Sequence, residues 1–235
     1  EQALRRLPRL ARLKPSMVVV CFGWNDQFPA LNLPDKELGA RNAFLAAAHR
    51  VFYRSRLYQL IAAPSDARWS SNGQTTESLR VPPDEFRRNL QRLVRDIRAV
   101  DAVPVLVTQP ENLNRDNEQF LVGKGFAPRD AVLIDRHRAY NQVVRDVAAA
   151  TKSALLDLEE AFDFREKDLL FEPDGMHFNG PGHNLVARLL VGVLREQNVI
   201  TRQEFDKVVN AARYNTIAPD KIHARWSLGV DRVTM

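Results

Sequence analysis

Cysteine is nearly absent: Cys21 alone in a chain of 235 residues. An intrachain disulfide is therefore excluded. The 5 histidines form no cluster with Cys or Asp at metal-ligand spacing, so no metal is expected. No apolar run approaches the ~20 residues a membrane-crossing helix needs. There is no internal repeat, and the 13 prolines and 10 glycines are scattered rather than gathered into a linker. What remains is a globular composition, 45% hydrophobic and 27% charged, enough for one sizeable core.

Lys plus Arg is 34 and Asp plus Glu is 29, a net charge of +5. The arginines recur along helical patterns, as in Arg5, Arg6, Arg9 and Arg12 or Arg87, Arg88, Arg92 and Arg95. These read as solvated helix faces. A nucleic-acid surface would interleave them with exposed aromatics, and here the aromatics fall on apolar stripes, so no nucleic-acid partner is expected. Glu1 opens the chain with a helical pattern already under way. The chain reads as part of a longer product, in which a signal or membrane anchor would lie upstream.

Residues 3–14 repeat Leu at helical spacing. Met17 to Phe22 is a short, continuous, β-branched run, the pattern of a strand buried on both faces, with Cys21 as a small core residue. It ends at the turn Gly23-Trp24-Asn25-Asp26. A helix is expected over 83–100 with Phe86, Leu90, Leu93, Val94 and Ile97 on one face, then a second strand at 103–108. Residues 111–128 read as a loop, 129–150 as a helix with Leu133, Tyr140, Val144 and Val147 inward, and 154–158 as a third strand. Leu185 to Leu194 forms another amphipathic helix, and Thr201 with Glu204 a capping box. Strand and helix alternate, so an α/β class with a parallel sheet is expected, its site beyond the carboxyl ends of the strands. The irregular region at about 27–80 reads as a cap inserted after the first strand.

Two constellations carry chemistry. Asp174-Gly175-Met176-His177 places a carboxylate three residues before an imidazole, able to orient the ring and support its charge. Asp-x-x-His is cheap alone: Asp220-Lys221-Ile222-His223 repeats it in the tail. The first copy differs in context. It stands between a strand and a helix, with Asn179-Gly180-Pro181-Gly182 turning into the helix. It also reads as a loop whose Asp caps and whose His packs. The second constellation is Gly23-Trp24-Asn25-Asp26, where the Asn25 amide at a strand end could donate to an oxyanion. Such a donor is worth about 10²–10³ in rate. An Asn-Asp turn ending a strand is the plain alternative.

Together, Gly-x-Asn-Asp after a buried strand and Asp-x-x-His before the last large helix resemble the SGNH or GDSL hydrolase family, over about Leu4 to Leu194. The resemblance implies a three-layer, flavodoxin-like α/β fold, a parallel sheet with helices on both faces. It implies acyl ester hydrolysis through a Ser-His-Asp triad, with Asp174 and His177 catalytic and Asn25 in the oxyanion hole. Gly23 and Trp24 are carried as substrate-binding; Trp24, Phe28 and the aromatics of the cap could line an acyl pocket, although an aromatic at helical spacing is more often core. His183 matches a structural position. No cofactor is implied. The substrate would be a small-molecule or glycan acyl ester, and an extracytoplasmic or membrane-associated setting is favoured. An O-acyltransferase of cell-envelope glycans and a non-catalytic glycan- or lipid-binding relative remain the rivals.

The family's Gly-Asp-Ser block and its second glycine block are not in this sequence. Ser65-Asp66 and Ser227-Leu228-Gly229 follow no buried strand. The expectation is a hydrolase-like domain over 1–200 and a helix and tail over 201–235, with two strands and the serine upstream of Glu1. The chain alone is then inactive. Residues 17–22 should pair with a further strand, since an apolar strand left open invites aggregation. A solvated edge, or pairing with 103–108 alone, would count against the missing strands.

Overall fold

The computed structural model describes residues 2–27, 79–123, 133–163 and 165–213. The cap expected at about 27–80 falls, but for its ends, outside these residues, as do Phe28, Ser65, Asp220, His223 and Ser227.

The elements in chain order are α1 (Gln2–Ala11), β1 (Met17–Cys21), α2 (Trp24–Gln27), α3 (Pro83–Arg98), β2 (Val103–Val107), α4 (Arg115–Gly123), α5 (Leu133–Thr151), β3 (Ala154–Leu156), α6 (Leu158–Ala161), α7 (Gly180–Glu196) and α8 (Arg202–Arg213), with a 3-10 turn at Arg165–Leu169. The strands form one parallel sheet in the order β1-β2-β3. Met17 pairs with Val103 and Cys21 with Val107; Val105 pairs with Ala154 and Val107 with Leu156.

Helix α3 shows why the sequence folds this way. Pro83 occupies its first turn with Asp84 and Glu85, and Arg95 and Arg98 sit in its last turn, each favourable to the helix dipole. Phe86, Leu90, Leu93, Val94 and Ile97 are buried, as the periodicity predicts, each stabilising the fold by about 1.5–3 kcal/mol. They pack with α1, α5, Val20 and Leu106 on one face of the sheet. Val105 and Val107 point to the other face, against Leu156, Phe162, Leu185 and Leu189 of the β3, α6 and α7 side. Helices on both faces of a parallel sheet make the three-layer α/β fold expected.

Four local expectations are corrected. The loop at 111–128 contains α4, because the Asn114 side chain accepts hydrogen bonds from Asp116 N and Asn117 N at 3.0 Å each, starting a helix the apolar pattern does not announce. The third strand stops at Leu156, because Asp157 turns to cap α6 and accepts from Glu160 N at 3.2 Å. β1 is not buried on both faces. Val18 and Val20 face the α1–α3–α5 core, but α7 packs on β3 and leaves Val19 43% exposed, with Cys21 exposed as well. Nor does a further strand cover residues 17–22: among the described residues β1 bonds to β2 alone, and Phe22 is 40% exposed. The other edge of β1 is open among the described residues.

Candidate active site

Asp174 and His177 meet as their spacing suggests. His177 Nδ1 lies 2.6 Å from Asp174 Oδ2 and donates to it. The other carboxylate oxygen accepts from Met176 N and His177 N, both at 2.9 Å. Burial pushes the Asp174 carboxyl up, but the hydrogen bonds from the His177 backbone and ring and from Met176 outweigh it, and the group titrates below its ordinary value. An ionised carboxylate accepting at Nδ1 leaves Nε2 as the basic nitrogen. The His177 side chain is 74% exposed, against 24% for Asp174: an oriented base at the surface on a held carboxylate.

Gly175 makes the loop possible. Its φ is +70°, and its carbonyl accepts from Asn112 N at 2.9 Å. The loop then closes on itself, with Glu172 N donating to His177 O at 2.8 Å beside an antiparallel bridge of Phe171 and Phe178. Asn179 caps α7 by accepting from Gly182 N at 3.0 Å. His183 is exposed and stands edge-on to Phe178, apart from Asp174, in keeping with a structural position.

The second constellation reaches the same rim. Gly23, with φ +144°, ends β1, and Trp24 N donates to Gln109 Oε1 at 2.8 Å. Gln109 and Asn112 are three residues apart on the segment leaving β2, spanning at most about 11 Å. One short loop therefore anchors both constellations: Gln109 holds the turn at 23–27, and Asn112 holds Gly175. Asn25 is exposed and lines a cavity of about 160 Å³ with Leu4, Phe22, Arg80, Phe86 and Asn89. Neither Asp174 nor His177 lines that cavity, so the two halves share a rim without direct contact.

Trp24, expected to line an acyl pocket, is corrected. It is 9% exposed and stacks on the His137 ring with centroids 3.9 Å apart. Gly23 is buried too. Both serve the turn's placement. Gln27, Gln109, His137 and Asn141 were not singled out by the sequence reading. One signal was present: His137 and Asn141 stand at i+4 and i+8 from Leu133, polar residues on the inward face of α5, and both are buried.

Two serines are described, and both stand at the wrong end of the sheet. Ser16 precedes β1 and Ser153 precedes β3, opposite the rim that carries His177. Thr108 does follow β2, but it is fully buried and donates to Asp157 Oδ1 at 2.8 Å. No described hydroxyl is placed to attack beside His177. No group of three or more His, Cys, Asp or Glu among the described residues could hold a metal ion. Likewise no described helix is long and apolar enough to cross a membrane.

A family model described as GDSL-like lipase/acylhydrolase matches residues 1–185. A solved lipase/acylhydrolase from Enterococcus faecalis is similar in fold, with a TM-score of 0.50 and 18% identity, covering 83% of this chain and 69% of that one. Among proteins of curated function, none matches.

Proposed function

The chain belongs to the GDSL-like lipase/acylhydrolase family, and from that premise we propose that it carries the acid–base half of a serine acyl ester hydrolase. Its family is one of acyl ester hydrolases; the roles that follow are our reading. His177 Nε2 removes the proton from a serine hydroxyl as the serine oxygen bonds to the acyl carbonyl carbon. Asp174 holds the ring and stabilises the imidazolium that forms. The Asn25 amide donates to the carbonyl oxygen as it becomes an oxyanion. Collapse expels the alcohol, which takes its proton from His177. Water, deprotonated by the same ring, then attacks the acyl-enzyme and releases the carboxylic acid.

The supporting observation is the loop after β2, whose Gln109 and Asn112 fix the Asn25 turn and the Asp174–His177 loop on one rim. The serine stands outside the described residues, and on this reading it precedes Glu1. Fluorophosphonate labelling tests the assignment. Residues 1–235 alone are expected to take no label, and the complete protein one label at a serine upstream; a label at any serine within 1–235 would overturn it. Substrate turnover by the complete protein should release free acid whether or not a carbohydrate acceptor is present. An acyl group found on the acceptor hydroxyl would make the protein a transferase.

A further inference from the structure

Of the described histidines, His177 and His183 are exposed, while His137 is 0% exposed. Packing alone gives no reason to bury an imidazole, which must exchange its water for hydrogen bonds. Both ring nitrogens are used. Nε2 lies 2.5 Å from Gln109 O, with the Asn141 amide nitrogen at 3.3 Å, and we assign it the proton because the nearer partner is a carbonyl. Nδ1 is then a lone pair, and Gln27 Nε2 donates to it at 3.1 Å. The same Gln27 amide donates to Gly23 O at 3.3 Å. Asn141 clamps the Gln109 backbone from the same helix, accepting from its N–H at 2.9 Å and donating to its carbonyl at 2.8 Å. The Trp24 indole lies flat on the ring, 15° from parallel.

The turn at 23–27 is thus held at its first carbonyl, at the Trp24 N–H, at the Trp24 ring and at Gln27. Each of these four holds ends on His137 or on a residue that His137 bonds, while Asp26 O accepts separately from Val81 N at 3.0 Å and Tyr140 Oη at 3.4 Å. Asn25 stands between them and is exposed. We propose that His137 is a positioning residue for Asn25: it locks the turn against the end of β2, so that the oxyanion donor is set before substrate arrives. This rests on the oxyanion reading of Asn25. Burial drives the ring towards neutrality more strongly than the Gln109 carbonyl, Glu159 and Glu111 favour the charged form. A proton on Nδ1 would face the Gln27 amide donor and break the lock.

A double-mutant cycle on kcat in the complete protein decides it. Asn25→Ala should lower kcat about 10²–10³-fold. His137→Leu should lower it about 10–100-fold with KM unchanged, the scale of a small misplacement. In the Asn25→Ala background, His137→Leu should add less than about 3-fold while still lowering the melting temperature. Gln27→Met, which frees Gly23 O and keeps the ring, should couple to Asn25 in the same way and carries the test if His137→Leu does not fold. Effects on kcat that multiply would reduce His137 to a structural residue, and an unchanged kcat in both variants would also overturn the proposal. An Asn25→Ala enzyme with full kcat would instead sink the oxyanion reading, and the positioning role with it.

Discussion

Gly175→Ala probes the loop that brings Asp174 to His177. A Cβ there would meet Asn112 O at 2.5 Å and Asn117 Nδ2 at 2.6 Å. Neither neighbour can easily retreat, because Asn117 Nδ2 donates to Asn112 O at 2.9 Å and Asn112 N donates to Gly175 O at 2.9 Å. Left-handed backbone costs a residue with a Cβ about 1–2 kcal/mol, and forcing an extra carbon into a packed site costs about 1–3 kcal/mol more. A loss of about 3 kcal/mol follows, which lowers the melting temperature by roughly 6–12 °C for a domain of this size. Circular dichroism melts of the wild type, Gly175→Ala and Gly175→Asn separate the two terms. Asparagine tolerates positive φ but carries the same Cβ. It should therefore recover only the strain, about 1 kcal/mol. A Gly175→Ala melt within about 2 °C of wild type would refute the close approach of Gly175 to Asn112, and with it the way the loop is held.

Three further outcomes follow from charge. Asp174→Asn keeps the shape but replaces the acceptor that fixes the His177 tautomer, so kcat of the complete enzyme should fall about 10³–10⁴-fold. Steady-state ester hydrolysis checks this, and a fall under 10-fold would mean that Asp174 does not orient the base. Stability should also decline as pH drops below 6.5, the ordinary His137 value. With the folded value depressed, the unfolded chain binds the proton first and unfolding is favoured. Urea midpoints at pH 7 and pH 5 should therefore differ in the wild type and differ less in His137→Leu. Asp174 acts in a lower window: its depressed carboxyl contributes stability present above the ordinary 3.8 and lost as pH falls beneath it.

The fold was legible where apolar spacing is the cause. Phe86, Leu90 and Ile97 fix the face of α3, and the β-branched runs at 17–21 and 103–107 are strands. It was less legible where a single polar side chain decides. Asn114 starts α4 and Asp157 ends β3 through bonds that no periodicity encodes. The burial of β1 misled because a continuous apolar run reports hydrophobicity, whereas the helices on that face pack over β2 and β3 and leave Val19 43% exposed. At the site, the Asp174–His177 contact was readable because a short loop turning at Gly175 leaves little freedom over three residues. The supporting residues were not. Gln109, Gln27 and His137 meet only when β1, β2 and α5 are assembled, and Trp24, read as a pocket aromatic, belongs to that support.

The most direct measurement is the rate of acyl ester hydrolysis by the complete protein carrying His177→Ala, with its fold confirmed by an unchanged melt. Removing an exposed side chain should leave stability intact. The loss of the base should lower kcat/KM about 10⁴-fold or more. A rate within a factor of about two of the wild type, well under the 1.4 kcal/mol of a tenfold change, would contradict the assignment of Asp174 and His177 as the acid–base pair.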